Sequence, residues 1–182
     1  DFAPVDSPSG GNAPLYNHRI LAHEMTHAVM GAVMNIGSMF ANNQQFFLEG
    51  TAELIQGADE RLYSAIGGNV AGIANVMAQV DDWGTSWDGS NEAYAVAYAG
   101  MRYLDQEIKA AGGEGIKDVM MYLAADATRT LDDALQNATQ DRFAGAADFQ
   151  SEFQADGAAF IESMLTSGAL TEADTGAIGG SN

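Results

Sequence analysis

Residues 21–31 read Leu21-Ala22-His23-Glu24-Met25-Thr26-His27-Ala28-Val29-Met30-Gly31, and residues 46–53 read Phe46-Phe47-Leu48-Glu49-Gly50-Thr51-Ala52-Glu53. Neither stretch alternates with the period of two expected of a half-buried strand, and both suit helices. On a helix His23 and His27 lie one turn apart on one face, so both imidazoles can point at a single ion. Glu24 then stands beside them, on the open side of such an ion. Between His27 and Glu49 lie 21 residues. That spacing lets the chain turn round and lay the second helix antiparallel to the first.

The chemistry that uses this pattern is specific. Zinc polarises a carbonyl and acidifies a water. A neighbouring carboxylate takes the water's proton and later hands it to the leaving amine. Such a centre needs three protein ligands and an open fourth position. His23, His27 and Glu49 are the expected ligands, and Glu24 is the expected base and acid. Glu53, one turn beyond Glu49, is expected to accept the free ring N–H of His23 or His27 and fix that ligand's orientation. Gly50 and Ala52 are small and are expected to let the two helix backbones approach closely around the ion. The plainer alternative is an accidental histidine spacing with two solvated carboxylates. Against it, two of only three histidines in the chain fall on that spacing.

Other assignments fit less well. His18 lies five residues before His23, off the ligand face. Asp59 and Glu60 follow a glycine and sit further from that face. A diiron carboxylate bundle needs a second Glu-x-x-His, and only Glu24-x-x-His27 is present. The chain has no cysteine, which removes thiolate ligands, disulfides and cysteine nucleophiles.

Working outward, the apolar pattern predicts helices over 14–34, 44–57, 59–66, 69–80, 91–111, 115–125, 130–137 and 146–165. On the first, Leu15, Ile20, Leu21, Met25, Val29, Met30 and Val33 are expected to form the apolar face. Residues 35–43 are expected to form a connection. Residues 81–90 (DDWGTSWDGS) carry turn residues, and Ser90 or Asn91 suits the cap of the next helix. No stretch reads as a strand and no repeat is visible. The expected architecture is mainly α and compact, with little or no β-sheet. It spans 13–165, between an irregular lead-in (1–12) and an irregular tail (166–182).

The chain has 182 residues, of which 47% are hydrophobic, enough to build a core. Its 25 acidic and 7 basic residues leave a formal charge of −18. Such a surface repels phosphate backbones and anionic lipid, so nucleic acid and membrane partners are not expected. Apolar runs are broken well before the ~20 residues of a membrane span. The first residues, Asp1-Phe2-Ala3-Pro4, lack the basic start and apolar run of a signal peptide. Asp82 and Asp88 are weak candidates for calcium, since no complete calcium loop is present.

The pattern His23-Glu24-x-x-His27 followed by Glu49-Gly50-x-Ala52-Glu53 resembles the gluzincin metallopeptidases, in particular the bacterial collagenase group. The longer string over residues 21–62 is similar to the flagellinolysin family, metallopeptidase domains inserted in the outward-facing region of bacterial flagellins. The likeness extends through residues 91–108 and 174–180. The resemblance implies a gluzincin fold and a zinc endopeptidase acting on protein or peptide substrates. It also implies display at the surface of an extracellular flagellar filament, with flagellin subunits as partners. Two alternatives stay open: a non-catalytic zinc-binding outer domain with a structural or adhesive role, and a stand-alone collagenase-like peptidase.

A hydrolase of this kind gains from a donor that stabilises the oxyanion. Tyr94, Tyr98 and Arg102 recur every four residues and share a helix face. Tyr94 and Tyr98 are the candidates for that catalytic role. Their ordinary alternative is packing between helices. Trp83 and Trp87 are expected either to wall the cleft or to plug the edge of the core.

Overall fold

Polar side chains cap the start of some of the helices. Ser90 accepts a hydrogen bond from the Ala93 N–H and opens a 20-residue helix. Thr130 and Asp133 form a reciprocal capping box at the start of another. The computed structural model describes residues 17–170, with side chains from Arg19 onward. The lead-in, the far end of the tail and the side chain of His18 lie outside the described residues. In chain order the helices are α1 (Asn17–Val33), α2 (Ile36–Ala41), α3 (Gln45–Gln56), α4 (Asp59–Ala65), α5 (Ile73–Met77), α6 (Asn91–Ala110), α7 (Ile116–Ala124), α8 (Leu131–Ala138) and α9 (Ala146–Thr166). Short 3-10 turns, Val70–Gly72 and Ala78–Asp82, flank α5. No strand occurs among the described residues. No helix among them is long and apolar enough to cross a membrane.

Two expectations shift in detail. Residues 35–43 contain a short helix, α2, capped by the Asn35 side chain on the Ser38 N–H. The stretch 69–80 is a broken helix, interrupted at Gly72, where a Cβ would come within 2.0 Å of the Ile66 carbonyl oxygen.

The mainly α architecture is organised around α6. Ala93, Ala95, Ala97 and Ala99 are all buried on it, and their small side chains let neighbours approach from several sides. Helices α3, α4, α5, α7 and α9 all pack on α6. A close approach is made by Gly50 of α3, where a Cβ would meet the Ala97 carbonyl oxygen at 2.5 Å and Met101 Cγ at 2.8 Å. The small residue beside Glu49 therefore brings α3 against α6, and not against α1 as the sequence suggested. Trp83 closes one end of the core, stacked between Phe46 (4.5 Å between ring centres) and Phe153 (5.5 Å). Gly100 makes room for it, since a Cβ there would lie 2.4 Å from the indole.

Helix α1 turns a different face inward from the one its apolar pattern proposes. Of the expected apolar face Met30 is buried and Ile20 partly so, but Leu21, Met25, Val29 and Val33 are 45–60% exposed, and His23 and Thr26 are buried instead. The physical reason is that α1 carries two faces that cannot both meet α3. The imidazole face meets it, because buried Glu53 on α3 requires partners. The contacts between the two helices run in opposite order. Arg19 donates to the Gly57 carbonyl at the end of α3, His23 meets Glu53 and Glu49, and His27 meets Glu49.

Candidate metal centre

Three ligand atoms converge between α1 and α3. His23 Nε2 and His27 Nε2 each lie 3.1 Å from Glu49 Oε2, and 3.0 Å from each other. Among the described residues these three form the one group of His, Cys, Asp or Glu arranged to hold a metal ion. Asp82 and Asp88 belong to no such group, and Asp88 instead accepts from the Ser90 backbone N–H. Glu60 is taken by Arg19 and Asp59 by Tyr98 and Arg102, so neither competes as a ligand.

The donor set passes a chemical test of fit. Four ligands held tetrahedrally at zinc–nitrogen and zinc–oxygen distances stand ~3.3 Å apart, close to the separations observed. His23 Nδ1 lies 2.9 Å from Glu53 Oε1, so that nitrogen carries the proton and donates it. Nε2 of a neutral His23 then presents a lone pair to a second imidazole and a carboxylate oxygen. Three acceptors at this spacing repel one another unless a proton or a cation lies among them. The titration of the metal-free protein reflects the same demand. Burial opposes charge on His23, but hydrogen bonds with Glu49 and Glu53 outweigh it and raise the imidazole to about 9. Burial likewise opposes charge on Glu49, yet its contacts with His23 and His27 hold it down at about 2.

Burial grades across the site. Glu53 is 1% exposed, His23 nearly covered, and His27 and Glu49 half-buried. Glu24 is exposed on the solvent side of α1. A buried carboxylate is tolerated only when paired, and Glu53 has two partners, His23 on one oxygen and the Arg61 guanidinium at 2.7 Å on the other.

The two tyrosines part company. Tyr94 is half-buried, with its ring centre 6.1 Å from that of His23. Burial raises its phenol, and the nearby carboxylates of Glu49, Glu53 and Glu24 add to this, so it stays protonated and able to donate. Tyr98 is fully buried, and its hydroxyl donates to Asp59 Oδ1 at 2.6 Å. Tyr98 and Arg102 border a separate cavity of ≈ 610 Å³, lined also by Lys109, Ile116 and Phe160. The structure does not bring Tyr98, the other candidate oxyanion donor, to the ligand group: its buried hydroxyl is held by Asp59. Trp83 plugs the core, while Trp87, partly buried, meets Tyr94 in a T-shaped contact at 5.2 Å.

Sequence reasoning missed Arg61. It stands eight residues past Glu53, across the helix break at Gly57. Helical periodicity does not carry across such a break, so only an interest in charge partners for a buried Glu53 would have singled it out.

No family model matches the chain, and no curated protein or solved structure matches it. The chemistry of the site and the resemblance of its motif therefore carry the functional conclusion.

Proposed function

We propose that this chain is a zinc-dependent endopeptidase domain of gluzincin type, with α1 and α3 antiparallel and His23, His27 and Glu49 holding the metal. The observation that supports this most directly is the triangle of His23 Nε2, His27 Nε2 and Glu49 Oε2 at 3.0–3.1 Å. Bound zinc would supply a Lewis acid for the scissile carbonyl and would acidify a water. Glu24 accepts that water's proton on its exposed carboxylate and delivers it to the departing amine nitrogen. Tyr94, kept protonated, donates a hydrogen bond to the oxygen that gains charge as the carbonyl is attacked. Glu53 holds His23 in the tautomer that leaves Nε2 free. The substrates are proteins or peptides. The motif resemblance supports display on an extracellular flagellar filament, beside flagellin subunits.

The test is a pair of measurements on the purified domain. Wild type binds about one zinc and cleaves protein substrates. Glu24→Ala retains the zinc and loses cleavage by about 10²–10⁴-fold. Undiminished cleavage by Glu24→Ala rejects the assigned base. A zinc-loaded wild type inert across a broad peptide library favours a structural metal site instead.

A further inference from the structure

Arg61, the third residue of α4, touches both halves of the candidate centre. Its side chain is only 12% exposed, and Nε stands 2.7 Å from Glu53 Oε2. The opposite oxygen of Glu53 meets His23 Nδ1 at 2.9 Å. Nη1 donates to Asn91 Oδ1 at 3.2 Å, at the first residue of α6. The guanidinium carbon lies 5.1 Å from the centre of the Tyr94 ring, one turn further along α6. One planar cation thus joins the carboxylate that orients a ligand to the aromatic ring beside the ligands.

We propose that Arg61 is a positioning residue of the metal centre, fixing His23 through Glu53 and Tyr94 through its ring face. A carboxylate as buried as Glu53 holds its aim only if a cation also stands against its second oxygen. Arg61 provides that charge at 2.7 Å, an ion pair without hydrogen-bond alignment, so Oε1 remains on Nδ1 and Nε2 keeps its lone pair for the metal. The planar guanidinium donates to Asn91 and sets its charge against Glu53, while its face carries the Tyr94 ring. A lysine can replace the charge but not the plane, because its ammonium is a point donor. The two functions are therefore separable by substitution. The tyrosine half rests on the peptidase reading above; the ligand half rests only on metal binding.

The experiment measures zinc affinity by competition with a chromophoric chelator at one fixed pH. It adds the Tyr94 ring resonances, assigned by comparison with Tyr94→Phe, and kcat and KM on a peptide. Arg61→Met is expected to weaken zinc binding by about 10- to 100-fold. Arg61→Lys is expected to bind zinc nearly as wild type, to average or shift the Tyr94 resonances, and to lower kcat by about 10- to 100-fold with KM little changed. Wild-type zinc affinity in Arg61→Met overturns the ligand half. Wild-type Tyr94 resonances and kcat in Arg61→Lys overturn the tyrosine half. If Arg61→Met fails to fold, the double variant Arg61→Met, Glu53→Gln leaves no unpaired buried carboxylate. It is expected to show weakened zinc binding, and wild-type affinity there counts against the proposal. Should the wild-type domain cleave nothing, the peptidase reading fails while the zinc and resonance measurements still decide the role of Arg61.

Discussion

His23 is held by two carboxylates at once, Glu53 Oε1 at 2.9 Å on Nδ1 and Glu49 Oε2 at 3.1 Å on Nε2. The ring is thereby fixed in rotation before any metal arrives, and when Nε2 gives up its proton to a metal, Nδ1 keeps its own on Glu53. Glu53 should matter to the metal although it is not placed to bind it. Glu53→Ala is expected to weaken zinc affinity by about 10- to 100-fold. It also leaves Arg61 without its buried partner, which costs stability on the order of 3–5 kcal/mol. Glu53→Gln keeps an acceptor for Nδ1 and should lose less affinity. Chelator competition and thermal melts check both. Equal zinc affinity in wild type and Glu53→Ala would contradict the orienting role.

Tyr94 and Tyr98 sit one helical turn apart, yet removal of their hydroxyls should act on different properties. Tyr94→Phe is expected to lower kcat by about 10²–10³-fold, the usual effect of losing one oxyanion donor, with stability unchanged. Tyr98→Phe removes a donor from buried Asp59 and should destabilise by roughly 1–3 kcal/mol while sparing kcat. Steady-state kinetics beside denaturant melts separate the two. A kcat loss confined to Tyr98→Phe would reverse the assignment.

Gly50 permits the close contact of α3 with α6. Gly50→Ala pushes a methyl group against the Ala97 carbonyl oxygen and Met101. Overpacking of this kind costs about 1–3 kcal/mol. Because Glu49 is the adjacent residue, zinc affinity should fall with the melting temperature. A variant as stable as wild type, with unchanged zinc binding, would show that the contact is dispensable.

Tyr103 gives a pH signature in the alkaline range. Burial raises its phenol, and its hydrogen bond to Glu152 with the charges of Glu152, Glu107 and Asp156 adds to this, to about 12. Arg142, paired with Glu107 and Glu152, is the cation facing this cluster. A pKa raised in the folded state means that the folded protein holds the proton more tightly than the unfolded chain, whose tyrosine titrates near ~10. The stabilising contribution is complete below ~10 and is lost as pH rises towards about 12. Stability measured by denaturant melts should therefore fall across that window in wild type. The fall should be shallower in Tyr103→Phe, and parallel profiles would refute it.

Helical periodicity explains how much of this was legible beforehand. The candidate metal-holding group His23, His27 and Glu49 was readable because a spacing of four is a local property of a helix, and because imidazole and carboxylate suit a divalent metal. The cap at Ser90 was readable for the same local reason. The inward face of α1 was not. Its leucine, methionine and valine stripe made the stronger apolar pattern, but the ligand face had buried Glu53 as its partner.

The sequence by itself determined which side chains can share an ion and that helices would carry them, since both follow from covalent spacing and side-chain chemistry. The tertiary structure alone decided which neighbour each helix face meets. It set Gly50 against α6, brought Arg61 across the break at Gly57 to Glu53, and separated Tyr94 at the site from Tyr98 in the core. The reason is geometric. Periodicity fixes a direction about a helix's own axis, and one turn of about 6 Å along that axis is enough to pass from an open site to a sealed interior.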